Sequence, residues 1–368
     1  MSPPTARRRA RDLGFSFGAF PTGRHNAITD VPGVRVGHVT IWKGGDGGSG
    51  GGLNETEAIA RTGVTAIVPC DLLDLFQRPL AAGPAVLNGA GELTGSLQMA
   101  EWGLLETPIV LTSTSAVGRA YDATVDAMFA SGADDVVVPV VGECDDSWLD
   151  DMTRRWVTTD DARRAIDGAV AGPVAEGVVG AGTGMVTMGY KGGIGTASRF
   201  VEGLGTVGVL VVANFGGSRL LRLGGVCVGD ILADERESAP TLDTGGSCIG
   251  VVLTDAPLDS RQLTRVARRM GLGLARVGSV AHHGSGDIFC AASTSSRLPR
   301  HASGRVTVEL VADRSLNDMF TAVVDATEEA VTNALFVADT VTGVLGHTAP
   351  GLPVDRVLEL TEPSRRRR

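Results

Sequence analysis

Aromatic side chains are scarce: Phe, Trp and Tyr make up 4% of the 368 residues. That argues against an aromatic-rich binding surface. Cysteine is equally sparse. Cys70, Cys144, Cys227, Cys248 and Cys290 are widely spaced, odd in number and form no CxxC pair. A disulfide framework is therefore not indicated, and reduced thiols in a cytoplasmic setting are expected. No apolar run reaches the roughly 18 residues that a membrane helix needs. The N-terminus is basic but lacks the apolar core of a signal peptide. Positive charge is also short, with 33 basic against 42 acidic residues and a net charge of −9. A nucleic-acid-binding surface does not follow from that balance. No His, Asp or Glu set has metal-ligand spacing, and Gly180-Ala181-Gly182-Thr183-Gly184 lacks the GxGxxG pattern of a dinucleotide fold. Gly44 to Gly52 is almost all glycine, but no Gly-Lys-Ser/Thr follows it. It reads as a flexible hairpin loop rather than a phosphate loop. Neither metal nor organic cofactor is expected.

Glycine is abundant, at 51 residues, and 43% of the chain is hydrophobic. That composition suits a large α/β core with many close backbone approaches. Strands are expected at residues 34–39, 64–68, 108–111, 135–141, 207–212, 248–253 and 306–311, from β-branched or alternating apolar runs. Helical spacing covers residues 93–104, 120–128, 159–170, about 260–276 and about 316–338. Mixed strands and helices throughout imply a layered α/β sandwich. Residues 1–25 read as a flexible N-terminal arm, 26–355 as a single domain and 356–368 as a basic tail.

The chemistry centres on Gly245-Gly246-Ser247, which runs directly into Cys248-Ile249-Gly250-Val251-Val252-Leu253. The residues before it, 234–244, are charged and contain Pro240, so a mobile loop feeds a buried strand with a serine at the junction. By itself the pattern reads as a Gly-Gly turn opening a strand. A serine there can also attack the carbonyl of Gly246 and become a new N-terminal residue, its amine beside its nucleophile. Glycine suits the N-terminal side of such a cut, because no Cβ obstructs the approach. Ser285 and Asp287, in Gly284-Ser285-Gly286-Asp287, project to one side of an extended segment and could form a relay. Asn214, just past the strand 207–212, is a candidate oxyanion donor or a turn cap. His282-His283 allow a Ser-His-Asp triad to be drawn, but adjacent strand residues point oppositely, which favours the amine as base.

These segments occur in order with Ile28-Thr29-Asp30-Val31-Pro32-Gly33-Val34, Asn88 to Glu92, Lys191 to Arg199, Ala213 to Gly216 and Ala326 to Ala330. Together they resemble the L-aminopeptidase/D-esterase and β-aminopeptidase family of self-processing hydrolases, over nearly the whole chain. The resemblance implies a four-layer αββα sandwich and a precursor cut between Gly246 and Ser247. It implies Ser247 as nucleophile, Asn214 in the oxyanion site, and Ser285 with Asp287 supporting the nucleophile. It places Glu143 near the free amine of a small peptide or amino-acid amide, where a carboxylate is a sensible anchor. The two cleaved chains would stay associated and assemble further, commonly as tetramers. One position departs from the pattern: Asp145 stands where family members tend to carry an aromatic residue that can donate to the oxyanion. An anionic carboxylate there would oppose the developing charge. Two other readings remain at this point: an acyltransferase of the ornithine acetyltransferase type, which uses threonine, and a non-catalytic binding protein that kept the fold.

Overall fold

The computed structural model describes residues 7–45, 58–235 and 246–365, apart from the side chain of Pro363. Its strands form two main sheets. The first contains β1 (Arg35–Lys43), β2 (Ala60–Val68), β5 (Ile109–Ser113) and β6 (Val140–Cys144), in that order. The second contains β3 (Leu80–Gly89), β4 (Leu104–Leu105), β9 (Gly193–Val201), β10 (Gly205–Asn214), β13 (Ser247–Thr254) and β14 (Gly286–Arg297), in the order β4-β3-β14-β13-β10-β9. Short hairpins β7–β8 (Val186–Thr187, Tyr190–Lys191) and β11–β12 (Arg222–Leu223, Val226–Cys227) lie beside them.

The sequence is layered because its strands alternate. Val207, Val209 and Val211 of β10 face one way; Leu210 and Val212 face the other. The second set meets Ile249, Ile288, Ile67 and Leu111 between the two sheets. The first set packs under α6 (Ser260–Arg268), α7 (Met270–Val277) and α8 (Leu316–Val337). On the opposite side, α4 (Thr159–Asp167) covers β1 and β2 and α3 (Val117–Ala130) covers β5 and β6, through small residues such as Ala162, Ala165, Ala120 and Ala123. Close approach is required there: a Cβ on Gly37 would lie 2.1 Å from the Ala165 carbonyl oxygen. The result is the four-layer αββα sandwich. Strands buried on both faces explain the near-continuous apolar runs of β2 and β13. Three smaller helices, α1 (Leu72–Gln77), α2 (Ser96–Trp102) and α5 (Gly229–Asp234), lie in the connections.

Several elements differ from the sequence expectation. The N-terminal segment is not a loose arm from residue 7 onward. Ala10, Leu13, Phe15 and Phe17 are buried, and Arg11 Nε bonds Glu329 Oε1 at 2.6 Å. The C-terminal stretch is likewise no tail: α9 (Val354–Arg365) buries Val357 and Thr361 and bonds the Leu13 carbonyl through Arg365. In both cases the partners are distant in sequence, so no local pattern announces them. The helix expected at 260–276 breaks at Arg269 into α6 and α7. That expected at 93–104 shortens to α2, between Gly95 and Gly103, both left-handed. The strand expected at 135–141 begins only at Val140. Residues 306–311 alternate but form no strand: Val306, Val308 and Leu310 are exposed, and among the described residues the segment makes no ladder with β14, beside whose end it lies. Most of the glycine-rich stretch 44–52 and the segment 236–245 lie outside the described residues.

Candidate active site

Strand register assembles the site. β13 runs antiparallel to β10, with Asn214 opposite Ser247, and parallel to β14, with Ser247 opposite Gly286. The first residue of β13 therefore lies between the last residue of β10 and the first of β14. Ser247, Asn214, Ser285 and Asp287 are all buried. Asn214 closes β10 rather than following it.

One main-chain group serves both Gly246 and Ser247. The Gly286 N–H donates to the Gly246 carbonyl oxygen at 3.1 Å and to Ser247 Oγ at 3.2 Å. Gly246 has no room for a side chain: a Cβ would lie 1.9 Å from the Asn214 carbonyl oxygen.

Asn214 is held at both ends of its amide. Its Oδ1 accepts from the Val186 N–H at 2.7 Å, and its Nδ2 donates to the Asp145 carbonyl at 2.8 Å. That pattern assigns the amide orientation and leaves the second Nδ2 hydrogen for another acceptor. The Asp145 side chain is exposed, and its Oδ1 accepts from the Ser147 N–H at 2.8 Å. Asp145 thus contributes its main-chain carbonyl to the site.

Asp287 is fully buried. Burial pushes its carboxyl up to about 6, opposed by the nearby Ser285 hydroxyl and by His282. Ser285 Oγ lies close but outside hydrogen-bond geometry. It and both Asp287 oxygens have no bonding partner among the described residues, so these groups have unused capacity beside Ser247. The main-chain carbonyls of His282 and His283 accept from Asn88 Nδ2. Neither imidazole bonds Ser247 among the described residues.

Glu143 lies on β6, across the interface between the sheets. Its carboxylate accepts from the Glu92 N–H at 2.9 Å and from the Thr114 hydroxyl. Burial raises its pKa, those two bonds oppose the shift, and Asp145 and Glu92 add to it. A Cβ on Gly91 would meet Glu143 Oε1 at 3.0 Å and Gly286 Cα at 3.3 Å. The bare glycine keeps the space between that carboxylate and the start of β14 free of side chain.

Sequence reasoning did not single out Lys191, which is fully buried in β8. Its ammonium donates to the carbonyls of Gly182 (2.9 Å), Met185 (2.6 Å) and Gly192 (2.8 Å). Burial pulls its pKa down to about 7. Its neighbours Gly192, Gly193 and Gly195 were the only available signal, and they speak for close packing as readily as for a site.

A buried serine opening the central strand of an αββα sandwich, beside an oriented amide and an unpartnered carboxyl, defines a class: the hydrolases of the Ntn-hydrolase fold. Residues 26–349 match peptidase family S58, and the chain belongs to that family. It is 41% identical to a β-peptidyl aminopeptidase, BapA, of Sphingosinicella microcystinivorans, covering 94% of this chain and 89% of that one. The solved β-aminopeptidase of a Burkholderia species superposes with a TM-score of 0.87 at 40% identity, over 97% of this chain and 99% of that one. The L-aminopeptidase D-Ala-esterase/amidase of Ochrobactrum anthropi, described as a variant of the Ntn-hydrolase fold, gives 0.87 at 39%, over 96% and 98%. The protein is thus a serine hydrolase of the aminopeptidase/amidase type; neither the acyltransferase nor the binding-protein reading is favoured.

Proposed function

We propose that the chain activates itself by cutting between Gly246 and Ser247 and then releases N-terminal residues from short peptides, amides or esters. The observation that carries this is the shared Gly286 N–H, which touches both the carbonyl oxygen to be attacked and the attacking hydroxyl. In the first step Ser247 Oγ bonds to the Gly246 carbonyl carbon, and the negative charge forming on the oxygen is met by that N–H. The bond to the Ser247 nitrogen breaks and the nitrogen takes up a proton. Water then hydrolyses the ester, leaving chains of 246 and 122 residues. The new α-amine, with a reference pKa of about 8, serves as the base for the next substrate.

In turnover, Ser247 Oγ attacks the substrate carbonyl and Asn214 donates its free Nδ2 hydrogen to the oxyanion. The Glu143 carboxylate binds the substrate's terminal ammonium. The leaving amine departs with a proton, and water releases the acyl group from Ser247. Ser285 and Asp287 hold the α-amine in place. The capacity of Asp287 supports this role, because a buried carboxylate is best used opposite a positive charge. The relatives' names extend the range to β-amino acids at the released end. The proposed setting is cytoplasmic. The two chains stay together and assemble further, as tetramers, around one hydrolase domain. No helix among the described residues is long and apolar enough to cross a membrane.

The test is turnover of α- and β-amino-acid amides by the wild-type protein and by Ser247→Ala. Two fragments on a denaturing gel with turnover, against one band without, support the reading. One intact wild-type band with no turnover overturns it. Hydrolysis persisting unchanged with an added amine acceptor separates it from acyl transfer.

A further inference from the structure

Lys191 is a buried cation whose partners are all main-chain carbonyls. Three ammonium hydrogens meet three acceptors, so its charge is solvated by the fold itself. Such a cage needs a reason, because burying a lysine is costly and an apolar residue of the same length would fill the space. The reason lies in one of the three acceptors. The Met185 carbonyl and the Val186 N–H belong to the same peptide group. On one side of that group Lys191 Nζ donates to the oxygen at 2.6 Å. On the other, the N–H donates to Asn214 Oδ1 at 2.7 Å. The Asn214 amide then continues the line through its own Nδ2 hydrogens, of which one is spent on the Asp145 carbonyl.

We infer that Lys191 is a positioning residue for the oxyanion site: its ammonium fixes and polarises the Met185–Val186 peptide, which orients Asn214 and strengthens it as a donor. The bonds run head to tail: Lys191 Nζ to the Met185 carbonyl, Val186 N–H to Asn214 Oδ1, Asn214 Nδ2–H to the oxyanion. Hydrogen bonds chained this way polarise one another, and a charge at the head adds to the effect in a dry interior. The peptide plane cannot rotate without losing bonds at both of its ends. The Gly182 and Gly192 contacts hold the lysine, so the relay starts from a fixed point. The role rests on the reading of Asn214 as oxyanion donor.

A double-mutant cycle tests it. Lys191→Met keeps the length and removes the donors; Lys191→Gln, which keeps one donor group, is the milder second variant. Each is combined with Asn214→Ala, and kcat and KM for an amino-acid amide are measured per cleaved chain. Removing an oxyanion donor typically costs about 10²–10³ in kcat. Lys191→Met is expected to lose at least about tenfold of that in kcat, with KM little changed, and Lys191→Gln less. In the Asn214→Ala background either lysine variant should cost less than about threefold, because the relay then has no end. An equal loss in both backgrounds, or a normal kcat for Lys191→Met, overturns the inference. If Lys191→Met does not fold, the same comparison with Lys191→Gln decides. Asn214→Ala alone with wild-type kcat would instead overturn the reading of Asn214, a separate outcome.

Discussion

Asp287 should weaken the fold at neutral pH, and by an amount that its surroundings set. Its carboxyl is fully buried and titrates at about 6 instead of 3.8. Below pH 4 it is protonated in both folded and unfolded chains, and burial costs little. Between pH 4 and 6 the unfolded chain releases the proton while the folded chain keeps it, so stability falls as pH rises. Above pH 6 both are ionised and the penalty is complete, at roughly 3 kcal/mol for a shift of about two units. Asp287→Asn removes the titrating group without changing the shape. Both proteins should be compared in a Ser247→Ala background, so that each is one chain, by chemical denaturation at pH 4, 5, 6 and 7. Other acids cancel in the difference. Asp287→Asn is expected to gain on its parent as pH rises through 4–6 and to hold a constant lead above that. A difference independent of pH, or one that shrinks with rising pH, would refute the argument. In the parent of cleavable sequence, the same substitution should depress kcat, so that a position costly to the fold is useful to the reaction.

Three further outcomes follow from named contacts. Gly246→Ala should slow self-cleavage by orders of magnitude in a time course followed on gels, because its Cβ would fall 1.9 Å from the Asn214 carbonyl oxygen. Glu143→Gln should raise KM for substrates with a free terminal amine at least about tenfold, from the loss of one charge-assisted contact, and steady-state kinetics with an amine-blocked ester as control would show no such rise. Glu329→Ala should destabilise the protein by about 3–5 kcal/mol in denaturant titrations, since its buried carboxylate holds Arg199 at 2.6 Å, Asn26 at 2.6 Å and Arg11 at 2.6 Å.

The sandwich is legible in the sequence wherever the signal is local. Val207–Val212 and Cys248–Leu253 read as buried strands and lie within β10 and β13. The sequence also marks Ser247, Asn214, Ser285 and Asp287, and strand register gathers them at one place. What stays hidden is carried by main-chain groups or distant partners. The N–H of Gly286 and of Val186 and the carbonyl of Asp145 have no side-chain signature. Asp145 in particular suggests a carboxylate facing the oxyanion, yet its backbone is what meets Asn214. Phe15 and Phe17 look like apolar residues in a loose segment, because the core that buries them is drawn from elements distant in sequence and Glu329, which ties down Arg11, lies 318 residues on. Residues 306–311 show the converse: alternation suggests a strand, but the segment pairs with no strand among the described residues and leaves Val306, Val308 and Leu310 exposed.

The proposed self-cleavage makes Ser247 the N-terminus of the working enzyme. Intact mass and N-terminal sequencing of the purified protein test it most directly. Two chains, of 246 and 122 residues, are expected, the second beginning Ser247-Cys248-Ile249, and a single full-length chain for Ser247→Ala. A wild-type protein that hydrolyses amino-acid amides as one uncut chain, or that is cut at another bond, would contradict it.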